Sequence, residues 1–114
     1  MDDDNAQHAR VEMVDPQTAR LWLDQGEVVL VDVREPHEFA NEHVQGATLI
    51  PLSAFDSTRI PDSEGKKLLI MCASGVRCGI ASEILVQTGY RELYRLAGGI
   101  TGWKAAGGPV QPGH

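Results

Sequence analysis

The sequence predicts an α/β domain whose parallel sheet carries helices on both sides. Three observations point there. Short, wholly apolar runs such as Val28-Val29-Leu30-Val31 and Leu68-Leu69-Ile70-Met71 suit strands covered on both faces. Stretches with helical apolar spacing follow them, as in Ala81, Ile84 and Leu85. Glycine and proline stand at the joints between the two kinds of segment. Strands alternating with helices give a parallel sheet, because parallel neighbours need a crossover between them.

In chain order, Met1–Arg10 reads as a mobile acidic tail, and residues 11–110 as one domain. Val11–Val14 is a short edge strand. Asp15-Pro16 follows as a helix N-cap with proline in the first helical position. Ala19, Trp22 and Leu23 form the buried stripe of that helix, and Gly26 stops it. A strand through Glu27–Val33 leads to a short helix over Pro36–Glu42. Ala47–Ile50 reads as a third central strand closed by Pro51, and Ser53 as the cap of a brief helical turn. A polar connector, Asp56–Gly65, precedes the strand Leu68–Met71. The next helix ends at Gly89, and Arg91–Leu96 is one more strand. Gly98-Gly99 turns the chain into a terminal helix, Ile100–Ala106, anchored by Trp103; residues 111–114 read as loose.

A chain of 114 residues with 42% hydrophobic content buries one core and has no room for a second domain. The formal net charge of −6 disfavours non-specific attraction to nucleic acid or anionic lipid. An anionic small substrate must then be held by local donors. No stretch reaches the length of a membrane span, and Met1-Asp2-Asp3-Asp4 lacks the basic start of a secretory signal, so a cytoplasmic location is the default expectation. Two cysteines are too few for a disulfide framework. The four histidines show no paired spacing with them that would suit zinc, so neither a metal nor another cofactor is expected.

Chemistry concentrates at Cys72-Ala73-Ser74-Gly75-Val76-Arg77-Cys78. Cys72 stands where a strand gives way to a loop, with a helix opening just beyond. Successive N–H groups in such a turn point inward, and a helix start adds unpaired donors and a positive dipole end. A thiol in that cradle loses its proton readily. At the same rim of the sheet, where α/β ligands bind, Asp32 and Arg34 leave the neighbouring strand.

Three segments carry a family resemblance. They are Asp32-Val33-Arg34-Glu35-Pro36-His37-Glu38-Phe39 with His43-Val44-Gln45-Gly46-Ala47 and Ile50-Pro51, the Cys72–Arg77 loop, and Gly98-Gly99-Ile100-Thr101-Gly102-Trp103 with Gly107 and Pro109. In this order they resemble the single-domain rhodanese family of sulfurtransferases, from about Val11 to Pro109. The resemblance implies a five-stranded parallel core and a persulfide carried on Cys72. It also implies transfer of a sulfane sulfur from a small anionic donor such as thiosulfate to cyanide, a thiol or a protein. Three positions depart from the family's pattern. Glu42 stands where glycine is common, Leu49 where asparagine is common, and Cys78 where a small residue is usual.

In this reading Cys72 is the nucleophile, and the N–H groups of Ala73, Ser74, Gly75, Val76, Arg77 and Cys78 bind the anionic sulfur. Gly75 permits the tight turn. Arg77 either grips the sulfonate oxygens of thiosulfate or is a surface arginine at a helix start. Ser74 offers an extra hydroxyl donor. Cys78 either resolves an oxidised Cys72 or fills the first helical turn, the second being favoured. Asp32 and Arg34 support the rim rather than react, since a carboxylate beside a thiolate would raise its pKa. His37 and His43 are not needed as bases.

Two rival functions remain at this level. A phosphatase or arsenate reductase would place its arginine one position further from the cysteine than Arg77 stands. A non-catalytic binding or regulatory module would not need Cys72 in a complete loop.

Overall fold

A computed structural model describes residues 9–62 and 65–113. Five strands make one fully parallel sheet in the order β1-β5-β4-β2-β3. They are β1 (Arg10–Val14), β2 (Val28–Asp32), β3 (Thr48–Leu49), β4 (Lys67–Met71) and β5 (Glu92–Leu96). Among the described residues, α1 (Pro16–Asp24), α2 (Pro36–Asn41) and α3 (Arg77–Gln87) lie between strands, and α4 (Gly99–Ala105) follows β5.

Strand alternation sorts the apolar side chains into two cores. On one face Leu30, Leu69, Met71, Tyr94 and Leu96 pack with Ala19 of α1 and with Ile100 and Trp103 of α4. On the other, Val31, Leu68, Ile70, Cys72 and Leu93 pack with Cys78, Ala81 and Leu85 of α3. Covering both faces explains why β2 and β4 read as unbroken apolar runs.

Local chemistry sets the joints. Asp15 caps α1, its Oδ1 accepting from the Thr18 amide at 2.8 Å, with Pro16 in the first turn. At the start of α2 the Glu35 amide donates to Glu38 Oε1 at 2.8 Å. Trp103 is buried and its Nε1 donates to the Pro109 carbonyl at 2.8 Å.

Several expectations change. The third strand is not central: β3 is two residues long and forms the sheet edge beside β2. Its pairing fades into single bonds, Ile50 N–H to the Asp32 carbonyl and Leu52 N–H to that of Val33, because Pro51 between them has no N–H to give. Ser53 caps nothing; it lies within a 3-10 turn, Leu52–Ala54, and its hydroxyl donates to Glu35 Oε1 at 2.7 Å. Arg10, placed in the acidic tail from sequence, opens β1, while residues 1–8 of that tail lie outside the described ones. The end of the chain is fastened rather than loose. Gln111 and His43 exchange two backbone bonds of 2.9 Å, and the Gly113 amide donates to the Ala40 carbonyl at 2.7 Å. Residue 114 lies outside the described ones.

Candidate active site

Cys72 follows directly on β4 and is 1% exposed, at the boundary between the α3-side core and the loop above it. Its sulfur accepts from the Gly75 amide at 3.1 Å and from the Cys78 amide at 3.3 Å. The second donor belongs to the first turn of α3, whose N-cap residue, Val76, supplies no side-chain acceptor. Cys72 Sγ thus fills the place that a serine or aspartate oxygen takes at other helix starts.

The loop reaches this shape because two glycines permit it. Gly75 turns at φ +108°, a region that side chains rarely occupy. Gly99 presses on the loop from α4. A Cβ there would lie 2.6 Å from the carbonyl carbon and oxygen of Ala73, and nearer still to the Cys72 oxygen. This close approach lets the Ile100 and Thr101 amides donate to the carbonyls of Cys72 and Ala73 at 2.8 and 3.1 Å. Those carbonyls are committed to α4, while loop amides face the sulfur.

The electrostatic result is a strongly acidic thiol. The Cys72 pKa is pulled down to about 5, first by the neighbouring Cys78 thiol and then by the amides of Cys78, Gly75 and Ser74, against burial, which pushes it up. Cys78 moves the other way: the hydrogen bond to Cys72 and its own burial hold the proton on. That proton has two acceptors within reach, the Gly75 carbonyl at 3.1 Å and the Cys72 sulfur. Against a charged Cys72 the anion is the stronger acceptor.

Arg77 opens α3 but turns to α2, its two terminal nitrogens donating to the Glu38 carboxylate at 2.8 and 2.9 Å. This pair pulls Glu38 down to about 2, and Arg77 keeps a longer-range attraction to Cys72. Asp32 and Arg34 are buried against each other, 0% and 3% exposed, with nitrogen–oxygen distances of 2.8 to 3.0 Å. Arg34 also donates to the Glu42 carbonyl at 2.8 Å, tying the rim to the end of α2. Ser74 and Val76 are exposed on the loop, and Ala73 is half-buried. His37 is exposed on α2. His43 is buried, stacked on Phe39 with ring centres 4.0 Å apart, and its ring nitrogens face the Phe39 carbonyl and the Gln111 side chain.

Sequence reasoning missed three contributors: Glu38, Gly99 and Arg95. The last reaches from β5 to donate to the Gly75 carbonyl at 2.9 Å, and its Cys78-facing charge favours thiolate there. Glu38 stands in the first of the resembling segments and Gly99 in the Gly98-Gly99 pair, whereas Arg95 had no signal.

The profile of the rhodanese-like domain matches residues 15–106, most of the chain. The chain belongs to the rhodanese-like domain family. An uncharacterized protein of Synechocystis is 40% identical over 83% of the chain, which spans 53% of that protein. The thiosulfate sulfurtransferase GlpE of Pseudoalteromonas translucida is 29% identical, covering 79% of the chain and 85% of GlpE. Among solved structures, a rhodanese-related protein from Thermoplasma volcanium superposes with a TM-score of 0.72 at 30% identity, covering 88% of the chain and 97% of that protein. The rhodanese-like fold is therefore established for this domain, in a family that includes sulfurtransferases. No helix among the described residues is long and apolar enough to cross a membrane.

Proposed function

We propose that this rhodanese-like domain is a sulfurtransferase that carries a sulfane sulfur as a persulfide on Cys72. The observation that supports this best is the acidic Cys72 sulfur held by the Gly75 and Cys78 amides. With its pKa near 5, Cys72 is a thiolate at neutral pH and needs no general base. It attacks the outer sulfur of thiosulfate; the sulfur–sulfur bond of the donor breaks and sulfite leaves with the electron pair. The product is an anionic persulfide, stabilised by the same amides. A thiol, cyanide or a protein thiol then attacks the outer sulfur and returns Cys72 to the thiolate.

The near-complete cover over Cys72 fits a small donor that presents a projecting terminal sulfur better than a bulky phosphate ester. The new bond lengthens the side chain by about 2 Å, extending the transferable atom beyond the buried thiol. Arg77 anchors the loop through Glu38 and contributes its field rather than a direct grip. Asp32 and Arg34 hold the rim as a neutral corner.

Thiosulfate alone should add one sulfur to the intact protein, about 32 Da, removable by cyanide. Cys72→Ser should take up none. A wild-type protein without the adduct, or a Cys72→Ser variant that still carries it, would overturn the assignment.

A further inference from the structure

We propose that Cys72 and Cys78 close an intramolecular disulfide when the site meets peroxide, with Cys78 as the resolving nucleophile, so that the loop is a reversible oxidation site. This goes beyond sulfur transfer and does not rest on it. The geometry begins at Gly75, whose backbone touches both sulfurs: its amide is 3.1 Å from Cys72 Sγ, and its carbonyl 3.1 Å from Cys78 Sγ. The Cys78 amide is itself 3.3 Å from the Cys72 sulfur, and the two side chains share one core. Both cysteines are free thiols.

Arg95 completes the arrangement. Its guanidinium lies against Gly79, in the first turn of α3, so closely that a Cβ there would be 2.9 Å from Nη2. Nη2 is spent on the Gly75 carbonyl, but Nε is buried with no partner. A buried N–H without an acceptor is costly unless some state of the protein supplies one. A Cys78 thiolate beside this cation would draw on its charge.

Charge decides when Cys78 reacts. While Cys72 is a thiolate, Cys78 donates to it and keeps its proton. A persulfide is also anionic, so sulfur transfer leaves that restraint in place. Oxidation by hydrogen peroxide removes it: the Cys72 thiolate attacks one peroxide oxygen, the O–O bond breaks, hydroxide leaves, and a neutral sulfenic acid forms. Cys78 then loses its charged acceptor and keeps Arg95. Its sulfur attacks Cys72 Sγ, the S–S bond forms, the S–O bond breaks, and hydroxide departs with the Cys78 proton as water. Peroxide is reduced to one hydroxide, which takes a proton from solvent, and one water, while the thiolate–thiol pair is oxidised to a disulfide, which an added dithiol reverses.

The test treats the protein with hydrogen peroxide in the absence of thiosulfate and reads intact mass and a digest. Wild type should lose about 2 Da, yield a Cys72–Cys78 cross-linked peptide, and return to its starting mass with dithiothreitol. Cys78→Ser should instead gain oxygen on Cys72, trappable by dimedone and then passing to irreversible acids about tenfold more extensively than wild type. Wild type that gains oxygen as readily as Cys78→Ser, or that cross-links only between two chains, overturns the proposal. The wild-type arm needs no variant to fold. Because it reads a disulfide rather than a thiosulfate adduct, its failure and that of the sulfur-transfer reading are separate results.

Discussion

At the end of β2 the Asp32 carboxylate meets a guanidinium; at the end of β4, the adjacent strand, the Cys72 sulfur meets amides. Both groups are buried at the same rim. Arg34 surrounds Asp32 with three side-chain contacts and a backbone amide, then spends its remaining donors on carbonyls of Glu38 and Glu42. The carboxylate in that corner is answered by fixed partners, and the corner serves as a joint. Around Cys72 no cation makes direct contact among the described residues, since Arg77 is taken by Glu38. Dipoles stabilise an anion without covering it by an ion pair, and a sulfur so held stays free to attack. The difference between the two corners therefore lies in what meets the charge.

The sharpest way to break the joint is Arg34→Met. It leaves a buried carboxylate unpaired, and the expected loss is about 3–5 kcal/mol in urea denaturation. A loss below 1 kcal/mol would mean that water already reaches this corner. The Cys72 side breaks without touching a polar group. Gly99→Ala forces a methyl against the Ala73 carbonyl and strains a φ of +60°. Thiosulfate-dependent sulfur transfer should fall about 100-fold, because a shift of about 1 Å displaces the loop amides. The smallest effect is a titration. The thiolate absorbance difference between wild type and Cys72→Ser should have its midpoint near pH 5, against 9.0 for an ordinary cysteine. Because the folded pKa is the lower one, the stabilisation from the thiolate grows as pH rises from about 5 towards 9.0 and vanishes as pH falls through about 5. A midpoint near 9.0 would remove the contrast with Asp32.

Much of the site was legible because it is local. The run into Cys72, the turn glycine Gly75 and the helix start at Arg77 are contiguous, so their spacing alone placed a sulfur beside amides. The fold class was legible for the same reason, from apolar runs alternating with helical stretches. Sheet order was not. Ala47–Ile50 buries Ile50 fully, yet it borders only β2, and burial of its residues does not say how many neighbours a strand has. Contacts between distant segments were equally hidden. Arg95 is one of two charged residues in β5, and nothing near it in sequence announces Gly75 or Gly79. Gly98-Gly99 was visible as a turn, but not the loop against which it packs. Arg77 looked free to grip an anion because Glu38 is 39 positions away.

The bonds from Ile100 and Thr101 to the carbonyls of Cys72 and Ala73 place the last helix of the domain under the command of assembly order. During synthesis the cysteine emerges well before the segment that fixes its loop, so the nascent thiol keeps the sluggish, protonated character of any exposed cysteine. The loop that lowers its pKa is complete only once α4 has docked. The acidity of Cys72 is thereby a readout of whether α4 has docked on its loop.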